Sequence, residues 1–139
     1  MAPDLVGRFA RLEKAVEKLS RVKEKTSKDE FLSNDDTQDI VEHNFHIAVE
    51  AIIDLANHLI SERAYRKPES NSEIFEILSE EGIIEEEFGK RLADWVRFRN
   101  ILVHNYADVK PERVYEILIE ELDDLRRIAA ILADELKLT

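Results

Sequence analysis

The amino-acid sequence predicts an all-α fold, a four-helix up-and-down bundle with a short extra helix between its second and fourth helices. Three observations carry that reading. Apolar residues recur three and four apart along most of the chain, the mark of a helix with one buried face. The 139 residues include only three Gly and three Pro, so few positions interrupt a helix. No stretch of useful length alternates apolar and polar residues as a half-buried strand does. At this length one core suffices, burying about two thirds of the unfolded surface, and residues 1–139 are read as one domain.

Leu5, Phe9, Leu12, Val16 and Leu19 mark the first helix, from about Pro3 to Lys25. A polar stretch, "KTSKDEFLSNDDTQ", is read as a connection whose Ser33, Asn34 and Asp35 offer caps for a long second helix reaching about Arg63. That helix buries Val41, Phe45, Ala48, Ile52, Leu55 and Leu59. Its other side mixes His46, Glu50, Ile53, Asn57 and Ile60, which points to a second buried contact, most simply a two-fold dimer interface. "AYRKPESNS" is a loop, because Pro68 disfavours helix at Lys67, and Ser70 or Ser72 can cap the next helix. That short helix, "SEIFEILSEEG", ends at Gly82. A fourth helix starts near Glu85 and runs into "RFRNILVHNY". Pro111 suits the first position of a fifth, whose stripe is Val114, Leu118, Leu122, Leu125, Ile128 and Leu132.

Composition narrows the function. The net charge is −11 and the pI about 4.8, which argues against a broad basic surface for duplex DNA or anionic lipid. The absence of cysteine removes disulfides and thiolate metal sites. The N-terminus has no apolar core of signal-peptide length, and the longest apolar run, Ile128 to Ala133, is far too short to span a bilayer. A cytoplasmic protein is the expectation, with no cofactor.

The segment from Arg97 to Tyr106 is the anomaly. At 100° per residue, Phe88, Leu92, Trp95, Val96, Leu102 and Val103 all fall within about 60° of Arg99, so a guanidinium occupies the middle of the apolar stripe. Such a charge is costly unless something pairs with it. His104 lies about 140° away on an ideal helix. Either the backbone leaves the helix near Val103, or the two meet by another route, such as across a dimer. Alone, Arg99 reads as a structural ion pair, His104 as a helix-end cap and Tyr106 as a core-edge aromatic. Together they offer a phosphate-binding cation, a proton carrier near neutral pH and a hydroxyl. His43, His46 and Glu50 have spacing for one helix face, but a hydrogen-bonded His46–Glu50 pair explains them better than a metal, and no metal is expected.

"RNILVHNY", of the form Arg-x4-His-x-Tyr, resembles the signature of HEPN domains, more narrowly the HepT-like family. "HIAVEAIIDLANHLI", "FEILSEEGIIEEEFGKRL" and "ERVYEILIEELDDL" extend the similarity over nearly the whole chain. The resemblance implies a HEPN-like bundle and a homodimeric, metal-independent ribonuclease toxin with two motifs facing each other in a composite active site. Its implied partner is an MNT-type nucleotidyltransferase antitoxin that attaches AMP to the motif tyrosine. On this chain the implied catalytic residues are Arg99, holding the scissile phosphate, and His104, acting as general base or acid, with Tyr106 as AMP acceptor. Asn100 and Asn105, inside the motif, rank below them as residues to position RNA or cap the helix end, and Glu50, read from its own spacing, is a lower-ranked candidate for orienting a catalytic side chain.

The acidic charge sets a constraint, because Arg63, Arg66, Lys67, Lys90, Arg91 and Arg97 form only a scattered basic rim. A structured RNA such as tRNA suits that better than general RNA affinity. Two other readings stand beside the nuclease. One is a non-catalytic HEPN subunit that presents substrate or nucleotide to a nucleotidyltransferase. The other is a helical scaffold in which Arg99 is only an interface ion pair.

Overall fold

A computed structural model of the chain describes residues 4–104 and 109–138. The described residues form α1 (Leu5–Lys25), α2 (Lys28–Leu32), α3 (Asp35–Glu62), α4 (Glu73–Glu80), α5 (Glu86–His104) and α6 (Pro111–Glu135). The four long helices α1, α3, α5 and α6 build the bundle. No helix among the described residues is long and apolar enough to cross a membrane.

The caps follow the sequence. Asp4 accepts from the Gly7 N–H at 2.8 Å at the start of α1, and Asn34 accepts from the Thr37 N–H at 3.1 Å at the start of α3. Ser70, rather than the Ser72 at the cap position, accepts from the Glu73 N–H at the start of α4. Pro111 opens α6, where its missing N–H costs nothing. Gly82, at φ +75°, makes the left-handed exit after α4.

The stretch expected to be a plain connection contains α2. Ser27 and Glu30 form a reciprocal capping box: the Ser27 hydroxyl accepts from the Glu30 N–H at 3.2 Å, and the Glu30 carboxylate accepts from the Ser27 N–H at 3.0 Å. The turn is pinned by Phe31, fully buried with its ring centroid 5.3 Å from that of Tyr115 on α6. One anchoring aromatic in five residues leaves no periodicity to read.

α3 is the central helix, packed by α1, α2, α4, α5 and α6. Its placement corrects the reading of its second face. Ile53 and Ile60 are buried by the chain itself, at 6% and 3% exposure, and need no second copy to cover them. A further correction concerns α5, whose stripe does not close at its C-terminal end. Leu102 is buried, but Val103, also placed in the stripe, is 44% exposed.

Candidate functional site

The site is built where α5 crosses α3. Phe45 of α3 stacks at a tilt on Trp95 of α5, with centroids 5.2 Å apart, and meets the Phe98 ring edge-on at 5.6 Å. These rings carry large apolar area and fix the relation of the two helices. Just beyond them, Glu50 on α3 and Arg99 on α5 come together. Arg99 Nη2 donates to Glu50 Oε2 at 2.9 Å, and Arg99 Nη1 donates to Asn100 Oδ1 at 3.0 Å.

The pair is neither core nor open surface. The Arg99 side chain is 18% exposed and that of Glu50 47%, so the guanidinium is sunk while its carboxylate partner is wetted. Arg99 Nε is buried with no protein partner, a donor left unsatisfied beside the ion pair. The same Glu50 oxygen lies 3.2 Å from His46 Nε2, which sits one turn earlier on α3. The hydrogen bond from Arg99 holds the Glu50 carboxyl below the usual carboxylate range; partial burial opposes this, and the charges of Arg99, His46 and Arg11 add to it.

His104 is exposed and is the last residue of α5. α5 is helical through Val103 and His104, so the backbone does not leave the helix there. Helical geometry therefore turns His104 about 140° away from Arg99 within one chain. The structure brings together Arg99, Asn100 and Glu50 from the sequence-predicted set, and it does not bring His104 to them. Asn105 and Tyr106 lie outside the described residues. His43 is exposed, and among the described residues no three His, Asp or Glu side chains converge as metal ligands would.

The basic rim is largely spoken for. Arg63 pairs with Glu135, Arg66 with Glu73 and Glu80, Lys90 with Glu86 and Glu87, Arg91 with Asp124, and Arg97 with Asp94. Of the rim residues named from sequence, Lys67 alone has no ion pair among the described residues. The expectation of a basic rim is thus corrected: its neighbouring acids, at helical spacing or across the bundle, cancel most of it.

A half-sunken arginine oriented by carboxylate and amide has the chemistry to hold a phosphate, and an exposed histidine ends the same helix. The chain belongs to the ribonuclease HepT-like family, whose model matches residues 12–132. It is 34% identical over 112 residues to the tRNA nuclease HepT of Aphanizomenon flos-aquae, spanning 81% of this chain and 71% of that protein. It is 24% identical over 131 residues to the mRNA nuclease HepT of Shewanella oneidensis, spanning 94% and 97%. Among solved structures, the tri-AMPylated Shewanella oneidensis HEPN toxin in complex with its MNT antitoxin superposes with a TM-score of 0.84 at 24% identity, covering 96% of this chain and 99% of that one.

Proposed function

We propose that this protein is a metal-independent endoribonuclease toxin that acts on RNA in the cytoplasm as a homodimer. The observation that carries the reading is the state of Arg99: a sunken guanidinium, held by Glu50 and Asn100, with its Nε left without a protein partner. Such a cation can hold the scissile phosphate and stabilise the charge that grows on it during displacement. His104, exposed at the end of the same helix, takes the proton from the attacking 2′-OH or gives one to the departing 5′-oxygen. Within one chain the two face apart, so a second copy that brings its own motif across the two-fold completes the site.

Membership of the HepT-like family supports RNA as substrate, and two relatives named as nucleases of tRNA and mRNA make either class a candidate. The acidic surface and the paired rim favour a folded RNA presented to a small site, of which tRNA is the example. Tyr106, two residues past His104, is the proposed acceptor of AMP from an MNT-type nucleotidyltransferase, as the motif resemblance implies. Incubating the protein with that partner and ATP should add the mass of AMP in wild type and none in Tyr106→Phe; an unchanged wild-type mass counts against it. For the nuclease, expression should arrest growth and degrade RNA, and harmless wild-type expression that leaves RNA intact defeats the proposal.

A further inference from the structure

The cations without carboxylate partners are concentrated on one element. Among the described residues, no ion pair involves Arg8, Arg11, Lys14 or Lys18, all on α1, whereas most cations of α5 and α6 are paired. At 100° per residue, Arg11, Lys14 and Lys18 share an arc of about 60°, and Glu17 and Glu13 lie about 60° and 100° beyond Lys14, on the flank away from Arg11. The packing agrees with this division. Glu13 and Glu17 line the groove between α1 and α6, while Arg8 and Arg11 line the groove between α1 and α3.

That second groove, of about 360 Å³, is walled on the α3 side by His43, His46 and Glu50. Glu50 is the residue that holds Arg99. The groove therefore borders the candidate site through Glu50, and its cations are stepped along the helix axis by about 5 Å, on the scale of a polynucleotide backbone. Two carboxylates enter it. Glu50 is already shared by Arg99 and His46, which leaves Asp54 as the acid that offsets the arginines.

We propose that the α1–α3 groove, through Arg8 and Arg11 with His43 beside them, is an RNA-backbone subsite that holds phosphates flanking the one on Arg99. This rests on the ribonuclease reading of Arg99 and adds where the rest of the strand lies. It accounts for how a chain of net charge −11 holds RNA: the attraction is confined to a single track.

The test uses the full-length protein and a fluorescein-labelled, mixed-sequence single-stranded RNA bearing 2′-O-methyl groups, which binds without being cut. Anisotropy across a salt series is measured for wild type, for Arg8→Gln with Arg11→Gln, and for the charge-matched control Lys90→Gln with Lys137→Gln. The groove variant should bind about tenfold more weakly at low salt, with the salt slope reduced by about 1.4, the share of two single-strand phosphates. The control should lose less than half of that. No binding by wild type, equal binding by the groove variant, or an equal loss in the control overturns the proposal. Cleavage of the unmodified strand is read separately. Binding that depends on the groove without any cleavage supports the subsite and defeats the nuclease reading.

Discussion

Replacing Glu50 with alanine removes the carboxylate shared by Arg99 and His46 and leaves a sunken guanidinium with Asn100 as its remaining protein acceptor. An exposed ion pair contributes about 0 to 1 kcal/mol, and breaking a fully buried one costs about 3 to 5 kcal/mol. This pair lies between those limits. Arg99 is 18% exposed, but Glu50 is 47% exposed and water can replace part of what it gives. The expected loss is about 1 to 2 kcal/mol at pH 7, or a fall in Tm of roughly 3 to 6 °C for a domain of this size.

The sign with pH comes from the depressed carboxyl of Glu50. Its contribution is complete above the ordinary carboxylate value of 4.5 and is lost as pH falls through the lower folded-state value, so wild type and variant should converge in acid. Glu50→Gln, which keeps an acceptor oxygen, should lose less than half as much. Thermal unfolding followed by circular dichroism at pH 7 and in acid measures both. An alanine variant that melts within about 1 °C of wild type at pH 7 would refute the claim that Glu50 holds Arg99 in place.

Phe31→Ala should cost about 3 to 5 kcal/mol in urea denaturation, because a fully buried ring that pins α2 against α6 leaves a cavity. The carboxyl of Glu42 is pushed up by burial and then by Asp39, so its folded value lies above 4.5 and it lowers stability at neutral pH, an effect that fades as pH falls through the raised value toward 4.5. Glu42→Gln should therefore raise stability at pH 7 by no more than about 0.5 kcal/mol, and the gain should vanish near pH 4, as seen by denaturation at the two pH values. Glu50→Ala should also slow RNA cleavage by about tenfold, chiefly in kcat, since a misplaced Arg99 still attracts phosphate but no longer meets its developing charge.

The four long helices and the short α4 were legible from their apolar periods and from boundary signals such as Asn34 before α3, Gly82 after α4 and Pro111 at the head of α6. α2 was not, since one buried Phe31 cannot establish a period. The far face of α3 was misread for a different reason. A helix buried on several sides and one with a partner-facing side show the same mixed pattern, and only the packing shows that α3's own neighbours cover Ile53 and Ile60. In the candidate site, spacing exposed Arg99 as a charge in an apolar stripe, whereas Glu50 reads from sequence chiefly as the partner of His46. Their meeting across 49 residues depends on the Phe45, Trp95 and Phe98 contact, which no local pattern encodes. The groove cations were visible as letters but not as a set, because pairing of the other cations is a three-dimensional fact.

The central claim is that Arg99 and His104 cut RNA together without a metal. The most direct measurement is cleavage of total RNA by purified protein in excess EDTA, for wild type, Arg99→Ala and His104→Ala, with circular dichroism and sedimentation confirming fold and assembly. Wild type should cleave, each single variant should lose at least about a hundredfold, and mixing the two variants should restore part of the activity if each dimer rebuilds one intact Arg99–His104 site. Undiminished cleavage by either folded variant, or wild-type cleavage abolished by EDTA, would contradict it.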